Sequence, residues 1–304
     1  WNGGMGAWPQ MSQSARIALM SEVVDKLLLR REEMANVLMH EIGKNYKDAY
    51  AEVDRTITFI RSCVEEMESG WGVESRSWKN GVVAYIRRSA IGVILALGPA
   101  NYPLNETYAM IIPALLTGNC VVLKIPAVGG LVHLLTISAF QSVLPPGVVT
   151  FVSGGGRATC PPAMETGLVD GLAFIGSSSA ADSLIRSHKE PHRLKVFSQL
   201  EAKNMAVFLP DVAAEDGGGT LDSAVSSAVG GALSYNGQRC TALKLFFVPH
   251  SSSSALKERV MKEVQELRVG MPWENMEDGG PPSQITPLPN RKRVEYMQEL
   301  IDDA

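Results

Sequence analysis

A cysteine in a polar loop is the residue of this sequence best suited to covalent chemistry. Cys240 lies in the segment YNGQRCT (235–241), with a cation directly before it. Turn residues keep a thiol accessible, and an adjacent guanidinium favours the thiolate, which is the nucleophilic form. The remaining cysteines fall in apolar patterns typical of small buried side chains: Cys63, Cys120 and Cys160. The loop context therefore predicts that Cys240 is a nucleophile.

Two polar side chains stand where apolar strands end. Asn101, in the turn GPANYP (98–103), offers an amide that could donate to a developing oxyanion, although bonding to its own turn is the simpler interpretation of this residue alone. Lys124 ends the strand pattern 120–124, where an ammonium suits a ribose hydroxyl or a phosphate, or is simply solvated.

Glycine-bearing loops follow two further strand patterns, at 154–156 and 176–179. Free backbone N–H groups and a helix N-terminus in such loops could bind a phosphate. Neither loop matches G-x-G-x-x-G, because Thr159 and Ala181 occupy the final position, and serines at a helix start are usually N-caps.

The elements that must position these residues alternate between short β-branched strands and helices. Apolar strands buried on both faces predict an α/β fold with a doubly wound, mostly parallel sheet, a Rossmann-like nucleotide-binding domain whose ligands bind beyond the carboxyl ends of the strands. The strand patterns are 92–97, 120–124, 148–152 and 171–175, and the helical patterns are 104–116, 131–143, 158–166 and 180–188.

The flanking segments have different patterns. Residues 12–69 show helical periodicity, and 82–88 reads as a strand that pairs with residues before Lys79. After Leu194 come strands near 195–200, 205–209 and 243–248, a glycine-rich insertion at 217–219, helices at 221–233 and 254–267, and a last helix. This predicts the beginning of a second α/β domain.

The composition and charge of the chain limit the kinds of partner that it is expected to bind. The 304 residues carry a net charge of −4 with a pI near 5.8, so no basic surface for nucleic acid or an anionic membrane is expected. The apolar run 90–97 is far shorter than the roughly 18 residues of a membrane span. The cysteine spacing indicates neither disulfides nor a metal site. We expect a soluble, intracellular protein with a small-molecule partner, and a fragment, since it opens at Trp1 and stops inside a helix.

Five segments together carry a family resemblance. They are GPANYPLN (98–105), VVLKIPA (121–127), FIGSSS (174–179), LEAKN (200–204) and NGQRCTALK (236–244). In this order they resemble the aldehyde dehydrogenase superfamily, and most of all its NADP-dependent, non-phosphorylating glyceraldehyde-3-phosphate dehydrogenases. The resemblance implies that Cys240 attacks the aldehyde, that hydride passes to the nicotinamide of NADP or NAD, and that water hydrolyses the thioester.

The resemblance also implies roles for other residues. Asn101 and the Cys240 backbone N–H would form the oxyanion hole. The cofactor would contact Lys124, Pro99, Gly176 and Ser177. The substrate's phosphate would be held by Tyr102, Arg239 and Arg55.

Two positions depart from the family pattern. Ala127 stands where many members bind the ribose with a carboxylate, which favours NADP because repulsion of a 2′-phosphate is removed. Gln199 stands where the family has its glutamate base, and an amide cannot take a proton at neutral pH. Glu201 would face the same side of an extended strand and is predicted to supply the base, the alternative being a solvated carboxylate.

By the same resemblance, 1–72 with 90–200 is the nucleotide-binding domain, 73–89 the oligomerisation hairpin and 201–304 a partial catalytic domain. A cytoplasmic homodimer or homotetramer is expected. Two alternatives stay open: a catalytically impaired relative kept as a structural or binding protein, and a variant that transfers the acyl group to a carrier thiol.

Overall fold

The computed structural model describes residues 1–70, 75–86, 88–213 and 220–303. Its helices are α1 Ala7–Gln10, α2 Gln13–Leu28, α3 Arg31–Ile42, α4 Tyr46–Glu68, α5 Asn105–Leu116, α6 Leu131–Val143, α7 Gly156–Glu165, α8 Ser178–Ser187, α9 Pro210–Ala213, α10 Thr220–Leu233, α11 Ser253–Gln265 and α12 Arg291–Asp303. Its strands are β1 Ser75–Lys79, β2 Val82–Ile86, β3 Val93–Leu97, β4 Cys120–Lys124, β5 Val149–Val152, β6 Gly171–Ile175, β7 Lys195–Gln199, β8 Asn204–Val207 and β9 Leu243–Phe247.

The chain divides into two compact units. The first comprises Trp1–Val37 and Tyr50–Leu200, and the second comprises Leu38–Ala49 and Glu201–Ala304. The glycine-rich insertion at 217–219 lies outside the described residues. Among the residues described, no helix is long and apolar enough to cross a bilayer.

The first unit is built on a five-stranded sheet in the order β5-β4-β3-β6-β7, and every pairing is parallel. Strand order reverses at β3, since the chain moves outward through β4 and β5 and then returns to the other side through β6 and β7. Leu95, Leu123 and Leu172 are almost fully buried because helices cover both faces of such a sheet. The predicted α/β, doubly wound fold is confirmed, and a ligand crevice is expected at the switch between β3 and β6.

An antiparallel hairpin, β1–β2, interrupts this unit. Its turn is Asn80-Gly81 with φ angles of 54° and 79°, the left-handed pair that a tight two-residue hairpin requires. The exposed aromatic side chains of the hairpin are Trp78 and Tyr85. The strand expected to run to Arg88 is described only as far as Ile86, since Arg87 lies outside the described residues.

The second unit has a small parallel sheet of β8 and β9. One side of this sheet packs against α10 and α11 in a core of Phe208, Leu221, Val225, Val229 and Leu256. The segment Leu38–Ala49 joins this unit through backbone and side-chain hydrogen bonds. Tyr46 N–H donates to Pro272 O (2.9 Å), and Asn45 Nδ2 donates to Ser283 O (3.1 Å).

Candidate active site

The loop before Cys240 has an unusual backbone. Tyr235, Asn236 and Gly237 all adopt positive φ, at 52°, 55° and 69°. A left-handed residue other than glycine costs about 1–2 kcal/mol, so the two before Gly237 persist only where neighbouring groups hold them. An inverse γ-turn follows, in which Arg239 N–H donates to Gly237 O (2.8 Å). Strained backbone of this kind is concentrated at functional sites.

Hydrogen bonds from distant segments hold this loop in place. The buried Tyr235 hydroxyl donates to Ile42 O (3.0 Å). Asn236 Nδ2 donates to Thr286 O (2.8 Å), and Thr286 N–H donates back to Asn236 Oδ1 (2.9 Å). The Thr286 hydroxyl in turn donates to Gly43 O (2.5 Å). The strain is therefore balanced by contacts that fix the shape of the loop.

The thiol and the guanidinium at the end of the loop are both half-buried. Cys240 is a free cysteine and not part of a disulfide. Arg239 Nη1 donates to Ser234 Oγ (2.5 Å), a contact that orients its side chain within the loop. The structure thus places the predicted nucleophile and one predicted phosphate ligand on adjacent positions of a rigid turn.

Asn101 lies in the turn that follows β3. Its Oδ1 accepts a hydrogen bond from Tyr102 N–H (3.1 Å), so the side chain does bond to its own turn. That bond uses only the oxygen of the carboxamide, and the nitrogen is the part that an oxyanion would need. The bond of Asn101 to its own turn is therefore observed, and its role in an oxyanion hole stays a prediction.

Glu52 supports the same turn and was given no role in the sequence analysis. It is fully buried on α4, and its Oε1 accepts hydrogen bonds from Leu104 N–H (3.0 Å) and Asn105 N–H (3.3 Å). Helix α5 has no side-chain N-cap of its own, so Glu52 supplies the acceptor and a favourable negative charge. In the sequence, the only local indication of this contact is Leu104 at the N-cap of α5, because a leucine side chain cannot accept hydrogen bonds from the first N–H groups of the helix.

Lys124 is the last residue of β4 and is only 7% exposed. Burial of the lysine stem at the carboxyl end of β4 places it at the end of the sheet where the predicted cofactor contact would be made. Ala127, the position that departs from the family pattern, is exposed shortly after the strand.

The loop after β6 leads into helix α8. Ser177 is the N-cap, and its Oγ accepts from Ala180 N–H (3.4 Å). Gly176 has no room for a side chain, because a Cβ would lie 2.6 Å from the Phe174 ring. Strands β4, β3 and β6 are neighbouring and parallel, so their carboxyl ends lie at one edge of the sheet. This edge carries Lys124, Asn101 and Ser177, together with Pro99 and Tyr102.

The remaining predicted residues are Gln199, Glu201 and Arg55, of which Gln199 lies at the same carboxyl end of the sheet. Gln199 is the final residue of β7 and is exposed, and its carbonyl accepts from Gly176 N–H (3.2 Å). Glu201 lies two residues beyond the end of β7, so the alternation of side chains along that strand does not extend to it. Arg55 is exposed on α4.

A comparison with protein families adds an independent observation. The model of the aldehyde dehydrogenase family matches residues 3–304. The chain belongs to the aldehyde dehydrogenase family. The NADP-dependent glyceraldehyde-3-phosphate dehydrogenases of Streptococcus equinus and Pisum sativum are 34% and 30% identical to it over 98% of the chain, which covers 60% and 58% of those relatives.

Solved structures of this family show the same fold. The NADP-dependent glyceraldehyde-3-phosphate dehydrogenase of Bacillus halodurans, complexed with NADP, aligns with a TM-score of 0.85 and 32% identity over 98% of this chain and 60% of that one. The chain thus spans about 60% of the length of the aldehyde dehydrogenases that it matches.

Proposed function

We propose that this chain forms the cofactor-binding and nucleophile-bearing part of an aldehyde dehydrogenase. Its substrate would be a phosphorylated or otherwise anionic aldehyde, similar to glyceraldehyde 3-phosphate, and its hydride acceptor NADP or NAD. The Cys240 loop is the observation that carries the proposal, since a strained turn held by distant hydrogen bonds presents a half-buried thiol next to a guanidinium. The names of the Streptococcus equinus and Pisum sativum relatives support the same activity.

The cofactor would bind at the carboxyl edge of the first unit's sheet. The Lys124 side chain at the end of β4 suits an anionic or hydroxyl-rich ligand, and the neutral Ala127 avoids repulsion of a 2′-phosphate. Gly176 and Ser177 open helix α8, whose N-terminus favours a pyrophosphate, and Pro99 lines the neighbouring turn. When bound, NADP would supply the acceptor for the hydride.

The chemistry of the chain's own residues follows from their donors and acceptors. The Cys240 thiolate would attack the aldehyde carbon, and the developing oxyanion would accept hydrogen bonds from Asn101 Nδ2 and the Cys240 N–H. Loss of hydride from the resulting thiohemiacetal leaves a thioester on Cys240. Water then cleaves the thioester, which releases the acid and regenerates the thiol.

Hydrolysis requires a base, and Gln199 cannot serve as one. The proposed base is Glu201, an exposed carboxylate three residues before the start of β8. The substrate's phosphate would be held by Tyr102, Arg239 and Arg55, since guanidinium groups bind phosphate in a bidentate manner.

We assign domain roles as part of the same proposal. The nucleotide-binding domain would be 1–72 with 90–200, the oligomerisation hairpin 73–89 and the partial catalytic domain 201–304. The exposed aromatic side chains of the hairpin support assembly as a homodimer or homotetramer. A cytoplasmic location is proposed from the free cysteines.

Rapid-mixing kinetics test the activity. With glyceraldehyde 3-phosphate and NADP, we expect a burst of NADPH of up to one equivalent per chain, abolished in Cys240→Ser. Cys63→Ser is the matched control, because Cys63 is also a half-buried free thiol, and its burst is expected to persist. Absence of a burst in the unmodified protein would favour the alternative of a catalytically impaired relative.

Gln199 favours a second candidate, in which a carrier thiol takes the acyl group. Glu201→Gln separates the two candidates. If Glu201 is the base, this variant keeps the burst and loses steady-state turnover. If turnover is unchanged in Glu201→Gln, and coenzyme A is needed for turnover and yields an acyl thioester, the transferase alternative replaces hydrolysis.

A further inference from the structure

We propose that Asn204 and Lys244 are positioning residues that direct the backbone N–H of Cys240 toward the reacting carbonyl oxygen. The inference rests on the proposed function, because it assigns a task to the same nucleophile loop. Neither residue is a candidate for touching substrate or cofactor. Lys244 contacts backbone carbonyls on both sides of the nucleophile, and Asn204 contacts the carbonyl of Cys240 and one that follows it.

Asn204, the first residue of β8, holds two of these carbonyls. Its Nδ2 donates to Cys240 O (2.6 Å) and to Ala242 O (3.1 Å). Both N–H groups of one carboxamide are thereby used on the chain that follows the thiol. The peptide after Cys240 is fixed by a side chain 36 positions away.

Lys244 approaches the loop from the other direction. Its Nζ donates to Ala242 O (2.6 Å) and to Arg239 O (3.2 Å). A β-bulge produces this orientation: Asn204 is paired with Leu243 and Met205 with Leu245, so Lys244 is the extra residue on β9. Bulges redirect a side chain that regular pairing would place elsewhere.

The carbonyl of Arg239 determines where the Cys240 N–H points, because the two groups belong to one peptide. This carbonyl accepts from Lys244 Nζ and also from Ala242 N–H (3.1 Å). In a planar trans peptide the N–H points opposite to the C=O. Holding the oxygen from one side therefore fixes the N–H on the other side, and a cationic donor on the oxygen also polarises the peptide and strengthens that N–H as a donor.

The test compares two reactions of the Cys240 thiol. Acylation by p-nitrophenyl acetate forms an S–C bond, passes through an oxyanion and expels p-nitrophenolate, with the thiol proton passing to water. Alkylation by iodoacetamide displaces iodide at a saturated carbon and forms no oxyanion. Only acylation depends on the direction of the Cys240 N–H. Both rates are measured on the same protein without cofactor, and labelling at Cys240 is verified against Cys240→Ser.

We expect Lys244→Met and Asn204→Ala to slow acylation about tenfold or more, since loss of one oxyanion donor costs on the order of 100-fold or more in rate. Alkylation should change little. Lys244→Arg keeps a cationic donor and should recover most of the acylation rate. Lys262→Met, an exposed lysine on α11, is the matched control and should react like the unmodified protein.

Two results would overturn the inference while leaving the proposed function intact. One is acylation of Lys244→Met and Asn204→Ala at the unmodified rate. The other is a parallel loss of acylation and alkylation, which would indicate a general disturbance of the loop. If the unmodified protein is not acylated at Cys240 at all, the proposed nucleophile is refuted and the inference fails with it.

Discussion

A buried histidine makes the stability of the first unit sensitive to mild acid. His133 is fully buried on α6, its ring stacks on Tyr108 at 5.8 Å between centroids, and neither ring nitrogen has a hydrogen-bond partner among the residues that the structure describes. Desolvation lowers the pKa of His133 from its ordinary 6.5 to about 4, because the charged imidazolium is excluded from such an environment. The substitution His133→Phe keeps an aromatic ring at this position and removes the titratable imidazole.

The pH dependence has a definite sign. Between pH 6.5 and about 4 the unfolded chain binds a proton at His133 and the folded chain does not, so stability falls as pH falls through this range. A shift of 2.5 units corresponds to about 3.4 kcal/mol in total, of which about 2 kcal/mol is lost between pH 7 and pH 5. Asp54 does not contribute in this interval, since Arg31 holds the pKa of that carboxyl below its usual value and its contribution is lost only at lower pH.

Urea unfolding at pH 7 and pH 5 measures the effect. We expect the free energy of unfolding to drop about 2 kcal/mol less in His133→Phe than in the unmodified protein over this interval. His192→Phe, at an exposed position, is the matched control and should keep the original dependence. An identical loss in His133→Phe and the unmodified protein would show that His133 is not held neutral by burial.

Three further predictions concern the loop, the cofactor edge and the packing around it. Asn236→Ala should lower the free energy of unfolding by about 2–4 kcal/mol in urea titrations, since it removes both hydrogen bonds to the Thr286 backbone; a change near zero would mean that the loop is held otherwise. Ala127→Glu should weaken NADP binding about tenfold in calorimetry while sparing NAD, and equal weakening of both would count against a 2′-phosphate near this position. Gly98→Ala should destabilise by about 1–3 kcal/mol, because a Cβ would overlap the buried Thr107 Oγ1, and unchanged thermal unfolding would contradict this.

Strands β3, β4 and β6 were predictable because burial on both faces leaves a strong local pattern. The predicted ranges 120–124 and 171–175 are those of β4 and β6, and the predicted helix 131–143 is that of α6. The position of Asn101 and Lys124 at one edge of the sheet could be predicted from the parallel arrangement of the strands alone. These features depend on residues close together in the sequence.

Contacts between distant residues were not predictable. Glu52 caps a helix that begins 53 positions later, and Asn236 is paired with a threonine 50 positions away. The β-bulge that turns Lys244 toward the Cys240 loop depends on the register with β8, which no local pattern specifies. Strand β7 also ends at Gln199, so the alternation of side chains along a strand does not place Glu201 beside Gln199.

The hydrogen bonds around Asn236 have a consequence for synthesis of the protein. A nascent chain that ends before Thr286 lacks both backbone partners of Asn236, and it also lacks the hydroxyl that contacts Gly43. The strained turn then keeps the contact of Tyr235 with Ile42 but lacks the two hydrogen bonds that hold Asn236. During synthesis, the nucleophile loop therefore gains the full set of contacts that hold its strained turn only after Thr286, 46 residues beyond Cys240, has been added to the chain.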